Sequence, residues 1–212
     1  GTLEAGDREI DATDRFVFPG FVDPHVHVEI SLGEFTSKDG FEGVTRAAAF
    51  GGTTTIVDFA IPDPGESPLA AFERKQDDAA GNAYVDYGLH GCVVEVTEDT
   101  DEHLSTLVER GAASVKLFMT YEGRLRVTNG EIRDVMETVA AEDGIVLVHA
   151  EDQEIMDRVT AVHEAAGEMD YTNHPATHPN VSETTAMWTI LELVAETGCP
   201  TYFVHLSTAR SE

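Results

Sequence analysis

The sequence predicts an α/β fold, with parallel strands joined by helices as in a TIM-like (β/α) barrel. Three observations predict it. From Phe21 onward, short apolar runs rich in β-branched and aromatic residues alternate with stretches of helical period. Glycine recurs where the helical stretches stop, and several strands run into a histidine.

Taken in order, the predicted strands cover residues 21–28, 53–59, 84–91, 114–119, 145–149 and 201–206. Helices are predicted between them at 38–50, 68–80, 101–110, 131–142, 153–166 and 183–197. Gly51, Gly81, Gly111, Gly144, Gly167 and Gly198 stand where C-terminal caps are wanted. The βα unit thus repeats six times, without solenoid-like sequence similarity between repeats. An eight-stranded barrel needs two more such units, so the chain reads as an incomplete barrel over 20–212, about the front two thirds of the protein. Its open sheet edges then require cover from further chain or a partner.

Residues 1–19 differ: Gly6 and a charged stretch precede Arg15-Phe-Val-Phe-Pro19, read as a hairpin-like β segment ending at a Pro-Gly turn. We expect them to be the remnant of a separate small β-sandwich module. The segments 61–68 and 171–180 are too polar and proline-rich for core and read as loops.

Composition narrows the function classes. Forty acidic against 13 basic residues give a formal charge of −27, which repels nucleic acid and anionic membrane. Only Lys38, Lys75 and Lys116 are lysine, while 42% of the chain is apolar, so this is not the acidity of a disordered tail. An acidic, lysine-poor surface points to a cytoplasmic protein from a high-salt milieu, where salt screens self-repulsion; an ordinary acidic enzyme is the alternative. Cys92 and Cys199 lie beside separate apolar runs and read as core residues in a reducing compartment. No apolar stretch nears the roughly 18 residues that span a bilayer.

The strongest local signal is Asp23-Pro-His25-Val-His27. Side chains two apart on a strand share a face, so the two imidazoles project together, either as ligands of one metal or as a hydrogen-bonded pair. His149 and His205 end two further apolar runs. In a (β/α) barrel the strand ends converge on one face, which shifts four such histidines toward a metal site. Lys116 lies inside the apolar run Ser114-Val-Lys-Leu-Phe-Met119. Burial of its ammonium implies either a salt bridge or a lowered pKa, the latter leaving an amine able to take up carbon dioxide as a carbamate.

Together with Pro19-Gly-Phe-Val-Asp-Pro-His-Val-His27, the runs Ala49-Phe-Gly-Gly-Thr-Thr-Thr55, Val85-Asp-Tyr-Gly-Leu-His90, Val115-Lys-Leu-Phe-Met-Thr-Tyr121, Val148-His-Ala-Glu151 and Val204-His-Leu-Ser207 carry a resemblance. In this order they are similar to the motifs of dihydropyrimidinases and D-hydantoinases, within the amidohydrolase superfamily. The resemblance implies two divalent metal ions, Zn first and Mn or Co as substitutes, sharing a hydroxide. His25 and His27 would hold one metal, His149 and His205 the other, with carboxylated Lys116 bridging both. Tyr121, otherwise an ordinary loop tyrosine, would donate a hydrogen bond to the oxyanion. A small cyclic amide is the implied substrate, a dihydropyrimidine or hydantoin opened to an N-carbamoyl amino acid. A dimer or tetramer is implied for the full-length protein.

The chain also departs from that family. The aspartate that the last barrel strand supplies has no counterpart here, the loop Glu29-Ile-Ser-Leu-Gly-Glu34 is more polar than the family's, and His178 stands near its arginine. Allantoinases and dihydroorotases share the His-x-His and lysine elements, and Tyr121 argues against them. Another class of reading is a non-catalytic scaffold or an inactive fragment. Asp23 faces the histidines either as their support or in a structural hydrogen bond, and His90 reads as core. His103 and His163 read as solvated helix residues, and Glu151 and Asp152 as tuning or capping groups.

Overall fold

The computed structural model describes residues 10–32 and 35–211. Gly6 and its charged neighbours, and Gly33 and Glu34 of the first loop, lie outside the described residues. Strand β1 (Phe21–Val26) is followed by a short antiparallel pair, β2 (Ser31–Leu32) and β3 (Phe35–Thr36). Helices and strands then alternate: α1 (Phe41–Gly51), β4 (Thr53–Ala60), α2 (Pro68–Ala79), β5 (Asp86–Cys92), α3 (Thr100–Glu109), β6 (Val115–Phe118), α4 (Asn129–Ala141), β7 (Val146–His149) and α5 (Gln153–Ala166). A 3-10 turn (Tyr171–Asn173), α6 (His174–Thr177), α7 (Asn180–Thr197) and β8 (Thr201–Phe203) complete the order.

Six strands form one parallel sheet in the order β1-β4-β5-β6-β7-β8, the arrangement that helical crossovers produce. In a flat sheet, five steps of about 4.8 Å would set β1 and β8 about 24 Å apart. Instead the ring of His25 on β1 lies 5.3 Å from that of His205, just past β8. The sheet therefore curls into a half-barrel with its strand C-termini gathered at one end.

All six predicted strands are present, with shifted ends. Strand β1 stops at Val26, and its register with β4 slips between Asp23 and Val26, around Pro24, which offers no N–H; an edge position tolerates such a slip. The pair β2–β3 and the turns within 171–180 are additions to the expected pattern. Residues 15–19 form no strand, which corrects the hairpin reading: among the described residues no partner strand is offered, and Phe16, Val17 and Phe18 stand exposed. Two caps also move by one position. Helix α1 runs through Gly51 and ends on left-handed Gly52, while after α4 it is Asp143, at φ 54°, that takes the left-handed turn. Gly144 instead serves close packing, since a Cβ there would meet Val139 Cγ1 at 2.8 Å.

Strand alternation divides the core into two layers. Ile56, Val115, Leu117, Val146 and Val148 face the helices and pack with Phe72, Leu104, Leu107, Ile132, Met136 and Ile190. Phe59, Cys92, Leu147 and Val204 point the other way, into the concave face. Lys116 lies between Val115 and Leu117 and pairs in register with Cys92 and Leu147, so it belongs to the concave face. Free, buried cysteines at 92 and 199 agree with the reading of both as core. No described helix is long and apolar enough to cross a membrane.

Candidate active site

The concave face brings together every residue singled out for the site. His25 and His27 project from β1 and the residue just beyond it, their ring centroids 5.2 Å apart, and both lie against Phe59 at 4.5 and 4.8 Å. His149, the last residue of β7, shares the parity of Leu147 and so enters the same face. Its ring is 4.6 Å from that of His205 and 5.2 Å from that of Tyr121.

His205 reaches the site by a different route. Regular alternation past inward-facing Val204 would carry it toward the helices, but its φ of 38° breaks the alternation and turns the imidazole inward. Tyr121, at φ 70°, and Glu29, at φ 51°, are strained in the same sense. Three of the five non-glycine residues with positive φ among those described thus surround one face, as strained backbone tends to at ligand sites.

Lys116 is 1% exposed, and among the described residues its Nζ has no hydrogen-bond partner. Among the described residues no carboxylate pairs with it either, and the ring faces of Phe118 and Phe59 lie 4.9 and 5.6 Å from Nζ. Burial pushes its pKa down to about 7, so a large share of the amine is neutral near physiological pH. Burial first and Lys116 second push His25 down to about 4, which keeps that imidazole neutral and its lone pair free. His27 and His205 shift the same way, although both are exposed at the rim, where water screens the effect.

Among the described residues, no three His, Cys, Asp or Glu side chains form a group that could hold a metal ion. The imidazoles come as two pairs, with the unpaired lysine amine on the same face. His149 Nε2 donates to Glu151 Oε2 at 2.6 Å, which leaves Nδ1 as the nitrogen with a lone pair to offer. Asp152 caps α5, its Oδ1 accepting from the Ile155 N–H at 3.0 Å. Glu151 and Asp152 therefore tune and cap, as expected.

Other histidines separate cleanly. His90 is core: a carbonyl can only accept, so Nε2–H donates to Pro24 O at 2.9 Å and Nδ1 accepts from the Ser114 hydroxyl at 2.7 Å. It thereby ties β1 to β5 and β6 beneath Phe59, on which its ring stacks at 4.5 Å. Asp23 accepts from the backbone N–H of His25 at 3.2 Å, which is the structural alternative for that residue. His103 and His163 are half-buried rather than solvated, because each lies on a helix flank; His163 pairs with Glu168 at 3.0 Å.

Three groups of residues escaped the sequence reading. Asp58 on β4 faces α2 and forms a buried ion pair with Lys75, Oδ2 to Nζ 3.1 Å. Val28, one residue past His27, gives its N–H to Asp58 Oδ1 at 3.0 Å and its carbonyl to Lys75 Nζ. A charge inside the apolar run of β4, with one of only three lysines in the next helix, was the available signal. Glu183 on α7 accepts the backbone N–H groups of Ser207 and Thr208 at 2.8 and 3.0 Å, which anchors the chain just after His205. Gln153 holds the Tyr121 loop; neither glutamate nor glutamine carried a sequence signal, since both look like ordinary helix residues.

Two clefts open on this end of the half-barrel. One, of 510 Å³, is lined by Tyr121, His149, His174, His178, Glu183 and His205. His178 packs its ring 4.0 Å from that of His174. The other, of 640 Å³, is bordered by His27, Asp58, Glu66, Arg74, Lys75 and Arg126.

Residues 16–208 match the amidohydrolase family. The D-hydantoinase of Geobacillus stearothermophilus is 37% identical over 209 residues, covering 98% of this chain and 44% of that relative. Dihydropyrimidinase 1 of Caenorhabditis briggsae is 34% identical over 203 residues, covering 94% of this chain and 42% of its own length. A solved D-hydantoinase structure superimposes with a TM-score of 0.95 at 34% identity, over all of this chain and 46% of that one. The chain thus spans less than half the length of the curated relatives it matches, not the two thirds expected, because a count of barrel units leaves out whatever else those chains contain.

Proposed function

We propose, for a chain that belongs to the amidohydrolase family, that it supplies most of the catalytic side chains of a cyclic amidohydrolase. The reaction is hydrolysis of a ring amide C–N bond, opening a dihydropyrimidine or hydantoin to the N-carbamoyl amino acid. The observation that carries this reading is Lys116: a buried amine without a counter-charge among the described residues, on one face with two pairs of imidazoles.

These donors fit a two-metal centre completed by the lysine. The neutral amine of Lys116 attacks carbon dioxide, an N–C bond forms, one proton leaves to solvent, and the product is an anionic carbamate with two ligand oxygens. Pairs of histidines in place of closed triads are what a centre with a lysine-derived shared ligand requires. His25 and His27 would hold one divalent cation and His149 and His205 the other, Zn being the first choice from the ligand set and Mn or Co substitutes. When bound, such ions supply Lewis acidity and a water of lowered pKa.

The chain's own groups do the rest. Tyr121 donates its phenol proton in a hydrogen bond to the amide oxygen as negative charge develops there. Phe59 and His90 fix the planes of His25 and His27 from below, while Asp58 and Lys75 hold the backbone that follows them. Cytoplasmic location, adaptation to high salt and a dimeric or tetrameric assembly belong to the same proposal, on the charge balance and the family resemblance. So does a small β module of which residues 1–19 would be a remnant, its remainder covering the exposed Phe16, Val17 and Phe18.

The test is a substrate panel on the full-length protein with metal analysis of the same sample. Metal-dependent turnover of dihydrouracil or hydantoin is expected. Faster turnover of allantoin or dihydroorotate would redirect the substrate, and a protein that binds no metal and turns over none of the four would establish the scaffold alternative.

A further inference from the structure

We propose that Gln153 is the positioning residue that holds Tyr121 in its working conformation, a role that rests on the reading of Tyr121 as oxyanion donor. The left-handed φ of 70° at Tyr121 costs an L-residue energy and persists only where the surroundings impose it. On the N–H side a single oxygen imposes it here. Gln153 Oε1, from the first residue of α5, accepts from the Tyr121 N–H at 2.8 Å and from the Thr120 hydroxyl at 2.7 Å. The Glu122 N–H reaches the same oxygen at 3.3 Å; three donors exceed its two lone pairs, so one contact is long.

The glutamine is itself held. Its amide nitrogen donates to Asp157 Oδ1, one turn along α5, at 2.7 Å, which fixes the end of the amide that faces the loop. Because Asp152 already caps α5, the Gln153 side chain is free of that duty and can serve the loop. On the other side, the Tyr121 carbonyl accepts from the N–H groups of Arg124 and Leu125 at 3.1 and 3.0 Å. Loss of the glutamine oxygen therefore leaves the strained residue tethered from one side only. As φ relaxes, the phenol swings away from the His149 ring, and displacement of a catalytic donor by about 1 Å is enough to cost on the order of 100-fold in rate.

The experiment uses the full-length protein and two independent readouts. In hydrogen exchange resolved to residues 120–122, Q153L is expected to speed the Tyr121 and Glu122 amides by at least about tenfold. The swapped pair Q153E/D157N, which restores an acceptor toward the loop and a donor behind it, should return exchange to within about threefold of the parent. Unchanged exchange in Q153L, or no recovery in the swapped pair, overturns the clamp. In turnover of dihydrouracil, Q153L should lower kcat about 100-fold with KM within about threefold. In a Y121F background the same change should cost less than about threefold, because the group being positioned has gone. Additive losses in the double variant overturn the proposal. Undiminished turnover by Y121F would refute the reading of Tyr121 instead, and the exchange result then decides the clamp alone.

Discussion

The two halves of the concave face are held in different ways. On the side of β1, β4 and β6, Lys116 and Phe59 follow strand alternation and His25 sits in the register slip of β1 beside Pro24, and their support is interior: the His90 contacts with Ser114 and Pro24, and the Asp58–Lys75 pair around Val28. On the side of β7 and β8, His149 ends its strand but His205 and Tyr121 sit beyond regular structure, at positive φ, tied by Glu183 and Gln153 to loop backbone. Side chains placed by a strand inherit their direction from the sheet. Side chains placed past a strand need an added clamp, and each clamp is a single residue that substitution can remove.

The largest expected effect lies on the first side. Lys75→Met leaves the Asp58 carboxylate buried and unpaired, and should lower unfolding free energy by about 3–5 kcal/mol in denaturant melts. The double variant Asp58→Asn with Lys75→Met should recover much of that loss. Equal losses in single and double variants would show that the ion pair is not what holds β4 to α2.

Glu183→Ala probes the second side. It strips an acceptor from two backbone N–H groups and should cost about 1–3 kcal/mol, with raised amide exchange confined to residues 206–208. An effect spread over the whole sheet would erase the distinction between the halves.

Lys116 gives an effect that depends on pH and has a defined sign. Its folded pKa, about 7, lies below the usual lysine value of 10.5, so between these limits the unfolded state binds more protons. In protein stripped of metal and carbon dioxide, stability contributed by this group should rise as pH climbs from 7 to 10.5 and should be lost on return. Lys116→Met should flatten that slope and abolish stoichiometric metal uptake; an unchanged slope would mean that the amine is not buried as described. The smallest effect is expected outside both halves. Thr128→Ala removes the capping box of α4 and should cost about 1 kcal/mol without altering metal uptake.

Much of this was legible from residues alone. His25, His27, Lys116 and His149 lie on or beside strands, where a period of two and an apolar run suffice to assign a face. His205 was found by its position after such a run, yet its direction was not, because regular alternation points it the wrong way. The expected β segment at 15–19 forms no strand for a related reason: a strand exists only where another strand pairs with it, and the described residues offer none to Phe16 and Phe18. Gln153 and Glu183 were illegible, since what each binds is backbone that is distant in sequence and carries no residue-specific mark.

By itself, then, the sequence determined the order of strands and helices, the helix and strand faces, and the residue types offered to one end of a barrel, since all of these follow from local periodicity and side-chain chemistry. Tertiary structure alone decided that Lys116 has no counter-charge among the described residues, that Asp58 does have one, and that a glutamine holds strained Tyr121 while a glutamate holds the backbone just after His205. Those outcomes depend on how far the sheet curls and on which side chains from separate helices arrive within hydrogen-bonding distance. Contacts between elements decide that, and no periodicity within one element encodes them.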